Sequence, residues 1–136
     1  MSLFSILDIS AAGMNAQRAR LEVAAANIAN SQTTSAPGTP VYQPMTVVLR
    51  SATSGAEALP RPVVAETTAL DVAPRMIYDP GHPDADSRGF VTMPGVDPIT
   101  SMLDLMSISR GYEANLRAFD VTRSLLQRTM DMGNRR

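Results

Sequence analysis

At 136 residues and 14.6 kDa the chain is long enough for one domain and too short for two ordinary ones. Its 12 basic residues are all arginine, set against 13 acidic ones, and the net charge of -1 removes the electrostatic case for a nucleic-acid binder. With no cysteine and a single histidine, a disulfide framework, a thiolate nucleophile, a Cys-based zinc site and a His-pair metal motif are all excluded.

No run approaches the roughly 18 consecutive apolar residues of a membrane span. The opening MSLFSILDIS lacks a basic n-region and a small-residue cleavage site, so it does not read as a Sec signal peptide. Three Phe, three Tyr and no Trp leave few large anchors for a conventional core. All 10 prolines lie between Pro37 and Pro98. Because proline breaks helix interiors, the chain divides into a helix-permissive N-terminal part, a broken middle and a helix-permissive C-terminal part. The expected divisions are an N-terminal helix in 1–31, a Pro-rich strand-and-loop segment in 32–97 and a C-terminal helix in 98–136.

The first part reads as one helix from about Ser5 to Asn30, with Ser5 and Asp8 in capping-box spacing and Ser2 as the other starting point. Leu7, Met14, Leu21 and Ile28 recur at seven-residue spacing, each preceded three residues earlier by Phe4, Ala11, Arg18 and Ala25. Ile6, Ile9, Gly13, Ala16 and Val23 make a second row off that seam. Near the helix end Asn30 suits a C-cap, and Asn27 stands one turn before Ser31.

In the middle, Val41 to Leu49 is a candidate strand, with Pro44 arguing for an edge or bend. Further short runs are Pro62 to Ala65, Leu70 to Val72, Met76 to Tyr78 and Phe90 to Met93, and Ser51 to Gly55 reads as a mobile loop. The apolar content is too small for a robust independent core, so part of the segment is expected to order only against a partner.

The stretch Tyr78-Asp79-Pro80-Gly81-His82-Pro83-Asp84-Ala85-Asp86 gathers three carboxylates and the only imidazole, which invites a metal or acid–base reading. An EF-hand starting at Asp84 fails, because Arg88 falls at the fifth position and Gly95 at the twelfth. No nucleophile motif accompanies the group. Asp-Pro and His-Pro pairs fix turns, and Gly81 and Gly89 permit positive φ, so a structured contact loop explains these residue types better.

The last part opens with Asp97 as N-cap and Pro98 at the first helical position, and Gly133 suits its C-terminal end. Leu105, Tyr112, Phe119 and Leu126 repeat every seven residues, with Met102, Ser109, Leu116, Arg123 and Met130 three before or four after them. Leu103, Met106, Ala114, Val121, Leu125 and Met132 form a second row. Each helix carries one seam arginine, Arg18 and Arg123, read either as register-setting partners in an assembly or as long stems reaching solvent. The expected fold is therefore mainly α: long terminal helices paired as a coiled-coil-like antiparallel hairpin, with a small irregular β-containing middle. A single partner covers one stripe of a helix, so two apolar rows predict self-association or assembly with related helices.

Three stretches are more specific. Ser10-Ala11-Ala12-Gly13-Met14-Asn15-Ala16-Gln17, then Ala26-Asn27-Ile28-Ala29-Asn30 and Thr33-Thr34, resembles the N-terminal signature of bacterial flagellar axial proteins, the rod, hook and hook-associated subunits. Tyr78 to Asp86 with Gly89 to Pro94 resembles a hallmark of the proximal rod members, and Ser109-Arg110-Gly111-Tyr112-Glu113-Ala114-Asn115 is similar to the family's C-terminal helix motif. Two departures stand out. The family's turn with paired arginines after the Thr-Thr pair is replaced by Thr39-Pro40-Val41-Tyr42-Gln43-Pro44. Gly111 stands where alanine is commoner, which weakens a helix by up to about 1 kcal/mol unless close packing uses it.

The resemblance implies a structural subunit of the basal-body rod rather than an enzyme, with no cofactor. It implies export by the flagellar type III apparatus without a Sec signal, and a periplasmic position in the rod. The implied partners are copies of the chain, other rod subunits and adjacent ring or hook-side axial proteins. Candidate subunit-interface residues are Phe4, Leu7, Met14, Leu21, Asn27, Ile28, Asn30, Leu105, Tyr112, Leu116, Phe119, Leu126 and Met130. The contact-loop candidates are Tyr78, Asp79, His82, Asp84 and Asp86. The rival readings are a small metal-dependent hydrolase centred on Asp79, His82, Asp84 and Asp86, and a cytosolic helical adaptor.

Overall fold

The computed structural model describes residues 3–53 and 59–133. Along the chain run α1 (Leu3–Ala29), β1 (Met45–Ala52), β2 (Arg61–Ala69), β3 (Arg75–Tyr78), β4 (Phe90–Met93) and α2 (Pro98–Gly133). Two long helices thus enclose a small antiparallel β region. At about 1.5 Å per residue, the 36-residue α2 is roughly 54 Å long. No helix among the described residues is long and apolar enough to cross a membrane.

The caps follow from local chemistry. Asp97 accepts the backbone N–H of Ile99 at 3.2 Å and of Thr100 at 3.4 Å, and takes the Thr100 hydroxyl at 2.6 Å. Those amides are orphans of the first turn, so the Asp97-Pro98 pair starts α2 as its sequence predicts. At the other end of α1, the Asn30 side chain donates to Ala26 O at 2.9 Å and the Ser31 hydroxyl to Ile28 O at 2.7 Å. The start of α1 differs from expectation: helix is already present at Leu3, so Ser5 lies in the first turn rather than capping it, and Ser2 is outside the described residues.

α1 touches α2 and both strands of the first hairpin. On the α1 side its contact with α2 is lined by small residues, and on the α2 side by Ile108 and Thr122. Ser10, Gly13 and Ala16 of α1 are buried, as are Ile108 and Thr122 of α2. Gly13 lies against the side chain of Asn115, and Gly111 against that of Gln17. This corrects the expected seam. On α1 the Leu7, Met14, Leu21 and Ile28 row is only half-buried, and Phe4 is 70% exposed. On α2 the Leu105, Phe119 and Leu126 row is half-buried, but the inward row beside it is Ser101, Ile108, Asn115 and Thr122, each one residue before the expected Met102, Ser109, Leu116 and Arg123. Met102, Leu116, Arg123 and Met130 are exposed. The physical reason is distance: only small side chains let two helix backbones approach closely, so the bulky apolar residues are turned elsewhere. Arg18 likewise pairs with Glu22 of its own helix at 3.0 Å, both side chains exposed.

The hairpin β1–β2 is antiparallel from Met45↔Ala69 to Ala52↔Arg61, with a bulge between Val48 and Leu49. It is pinned to α1 at two points. Asp8 pairs with Arg61 at 2.6 Å. Asn27 receives the Met45 N–H at 2.9 Å and the Tyr42 hydroxyl at 2.9 Å, and donates to Met45 O at 2.8 Å. β1 begins directly after Pro44, which confines the expected Val41–Leu49 strand to its second half. Ser51 and Ala52 belong to β1 rather than to a loop, and Ser54 and Gly55 lie outside the described residues. Leu70 to Val72 is not a strand: the Leu70 N–H extends the hairpin by one bond to Pro44 O at 2.7 Å, and the Val72 N–H then bonds locally to Leu70 O at 3.0 Å. β3 and β4 pair antiparallel from Arg75↔Met93 to Tyr78↔Phe90, and Ser35 bridges Thr92 on the far edge of β4. Val91, Pro94 and Val96 are buried there.

Candidate assembly surface and contact loop

The outer side of α2 is apolar over its length. Ile99, Leu103, Met106, Val121, Leu125 and Met132 are all exposed, from 47% at Met106 to 71% at Ile99. With α1 against its inner side, none of the described residues covers this row, and a monomer rarely displays so long an apolar strip. Met102, Leu116 and Met130, at other positions around α2, are exposed as well. Arg110, Arg117 and Arg128 interrupt the row with charge, and Arg117 lies 4.0 Å from Glu113. Of the candidate interface residues, Phe4, Tyr112, Leu116 and Met130 are exposed, and Leu7, Met14, Leu21, Ile28, Leu105, Phe119 and Leu126 are half-buried. Asn27 and Asn30 are engaged inside the chain, in the hairpin anchor and the helix cap described above.

The loop between β3 and β4 is built from its own hydrogen bonds. Asp86 Oδ1 accepts the N–H of Arg88 at 2.8 Å and of Phe90 at 2.9 Å, and the Arg88 guanidinium adds bonds to Oδ2 at 3.3 Å. The Phe90 amide, followed by Arg88, holds the Asp86 carboxyl below the usual carboxylate range. Asp79 Oδ1 accepts the Gly81 N–H at 3.3 Å, and His82 Nδ1 accepts the Asp84 N–H at 3.1 Å. Gly89 adopts a φ of 81°, a left-handed conformation that closes the loop under Tyr78, whose ring meets Phe90 edge-on at 5.4 Å. Asp84 reaches out of the loop to accept the Thr34 hydroxyl at 2.5 Å.

These bonds engage Asp79 Oδ1, His82 Nδ1, Asp84 Oδ2 and both Asp86 oxygens within the turn and with Thr34. Among the described residues no three His, Asp or Glu side chains converge on a common point. Carboxylates and imidazole here shape a turn and tie it to the end of α1, leaving the Tyr78 ring 66% exposed. A cleft of about 390 Å³ lies between α1, β1 and the start of α2, lined among others by Arg20, Asn27, Val96 and Asp104. Sequence reasoning missed the Thr34–Asp84 tie and the Asn27 anchor, because neither partner is near in sequence; their membership of the quoted stretches was the available signal.

Two family profiles match the chain. Residues 7–36 match "Flagella basal body rod protein", and residues 87–132 match "Flagellar basal body rod FlgEFG protein C-terminal". Among curated proteins, the chain is 38% identical to the "Flagellar basal-body rod protein FlgC" of Aquifex aeolicus over 133 residues, covering 96% of this chain and 97% of that one. It is 34% identical to the protein of that name from Escherichia coli O157:H7, covering 98% and 99%, and 34% identical to that of Bacillus subtilis, again covering 98% and 99%. The chain belongs to the FlgC family of flagellar basal-body rod proteins. The matched profiles cover most of the described α1 and α2, whereas most of the β3–β4 loop lies between them. FlgC relatedness over nearly the whole length therefore extends to the hairpin and to Tyr78–Asp86, which the two profiles do not reach.

Proposed function

We propose that this FlgC-family chain is a non-enzymatic building block of the basal-body rod, joining copies of itself and other rod subunits into the axial shaft. α1 and α2 pair as an antiparallel, coiled-coil-like hairpin. The contacts Gly13–Asn115 and Gly111–Gln17 support that arrangement, since position rises on one helix as it falls on the other. The single observation that carries the assembly reading is the uncovered apolar row of α2 from Ile99 to Met132. Neighbouring helices in the rod bury it, through a heterologous contact whose rotation does not close.

Phe4, Leu7, Met14, Leu21 and Ile28 of α1 and Leu105, Tyr112, Leu116, Phe119, Leu126 and Met130 of α2 contribute to the subunit interface, and the Tyr78–Asp86 loop touches a neighbouring subunit. The chain reaches the periplasm through the flagellar type III apparatus; absence of cysteine suits passage as an unfolded chain. Ring or hook-side axial proteins meet the ends of the assembled rod.

The test is electron microscopy of basal bodies from a strain lacking this chain, beside the complemented strain. A membrane ring without completed rod or hook, restored on complementation, is the expected result. Intact hook–basal bodies in the deletion strain would overturn the proposal.

A further inference from the structure

Two contacts join α1 to α2 in a reciprocal way. A Cβ placed on Gly13 would lie 2.8 Å from Oδ1 and 2.9 Å from Cγ of Asn115, and a Cβ on Gly111 would lie 2.9 Å from Nε2 of Gln17. A Cβ at either position would displace the amide group now lying there, so each glycine is a seat that an amide of the other helix occupies. Gln17 follows Gly13 by one helical turn, and Asn115 follows Gly111 by one turn, so each helix offers one seat and one amide. Asn115 is also fixed from its own helix, its Nδ2 donating to Gly111 O at 3.0 Å. All four residues belong to the stretches Ser10–Gln17 and Ser109–Asn115, which the fold brings face to face.

Nearby buried groups select no register. The Ser10 hydroxyl bonds back to Ile6 O at 3.0 Å and the Thr122 hydroxyl to Ala118 O at 2.8 Å, each within its own helix, and Ala16 is only a methyl. A slip of one turn would leave those bonds intact. It would set Asn115 against Ile9 or Gln17, and Gln17 against Ser107 or Asn115, none of which leaves an empty seat.

We propose that Gly13, Gln17, Gly111 and Asn115 form a reciprocal glycine–amide clasp that sets the register of α1 on α2. Through that register the clasp positions the outer row of α2 for the neighbours that cover it. The four are positioning residues, and the inference rests on the helix pairing and assembly proposed above.

The chain has no cysteine, so spin labels can be placed at will on the full-length protein. Labels on Arg18→Cys and Arg110→Cys, two exposed sites flanking the clasp, report the register as a distance distribution. The clasp predicts one narrow distribution in the otherwise unchanged chain. Gly13→Ala shifts or broadens it and reduces swimming of the complemented strain several-fold. Adding Asn115→Ala to Gly13→Ala relieves the crowding but leaves no amide to seat, so the double variant gives the broad distribution of Asn115→Ala alone. Asn115→Ala alone broadens the distribution at unchanged helix content by circular dichroism, and this variant carries the test if Gly13→Ala does not fold. Distributions identical to the parent in both single variants, or a folded double variant as narrow as the parent, would overturn the clasp. A parent chain with no defined Arg18–Arg110 distance would instead overturn the helix pairing itself.

Discussion

The Thr34 hydroxyl donates to Oδ2 of Asp84 at 2.5 Å, joining residues 50 positions apart. Thr34 lies five residues beyond the end of α1, and Asp84 sits in the β3–β4 loop, so one short bond couples the segment following α1 to the loop. The loop keeps its own shape through Asp86 and Asp79; the Thr34 bond decides where that shape is held. Replacing Thr34 with Val keeps the volume and removes the donor. The expected loss is about 1 kcal/mol in equilibrium urea unfolding, with faster hydrogen exchange at Ala85 and Asp86. An unchanged midpoint together with unchanged exchange would show that the loop is held by other contacts.

Inner and outer faces of α2 predict opposite phenotypes. Ile108 is 5% exposed, so Ile108→Ala is expected to cost about 2–4 kcal/mol by leaving a cavity. Leu103 is 57% exposed, and Leu103→Asp should change monomer stability by no more than about 0.5 kcal/mol. In a complemented deletion strain Leu103→Asp should nonetheless abolish swimming, because assembly would bury an unpaired carboxylate. Thermal unfolding of the purified chain beside soft-agar motility separates the two effects; normal swimming by Leu103→Asp would remove this face from the rod contacts.

Gly89 is the position where the contact loop depends on its residue type. Its φ of 81° is unfavourable to a side chain, and a Cβ would lie 2.9 Å from the Tyr78 ring and 3.1 Å from Cβ of Pro80. Gly89→Ala should therefore destabilise by about 1–2 kcal/mol from the backbone conformation alone. It should also shift the Tyr78 and Phe90 ring resonances in NMR spectra, since their edge-on contact closes over this turn.

Acid should act through Asp97 and Asp86. The Thr100 hydroxyl, then the Ile99 amide, hold the Asp97 carboxyl below its ordinary value, and the Phe90 amide does the same first for Asp86. A carboxyl with its pKa lowered on folding contributes stability above its unfolded value, about 4, and loses it as pH falls through the folded value. The urea midpoint should stay level between about pH 7 and 5 and drop below about pH 4. Asn at position 97 keeps the cap without the titration. Asp97→Asn should thus flatten part of the acid slope, and an unaltered slope would remove Asp97 from the cause.

Local chemistry in the sequence was enough to place the elements whose causes are local. Asp97-Pro98 starts α2, Asn30 closes α1, and Phe90–Met93 and Met76–Tyr78 are strands, because caps and short β-rich runs act over a few residues. The Tyr78–Asp86 turn was legible for the same reason: its carboxylates satisfy amides two to four residues away. The Leu70–Val72 run misled because a pattern of apolar residues says nothing of which carbonyl will take the Val72 amide, and Leu70 O, two residues back, takes it.

What only the tertiary structure decided was which stripe of each helix turns inward. Seven-residue spacing is satisfied by several stripes on α1 and α2, and hydrophobicity favours the bulky ones. Close approach of two backbones favours the small ones instead, so Gly13, Ala16 and Gly111 line the contact while Leu103, Val121 and Leu125 face outward. Two apolar rows, and hence a need for neighbours, could be read from the chain alone, since that depends on composition around a helix. Which row meets the chain and which meets a neighbour depends on how near the helices come, and that distance is a property of the packed pair.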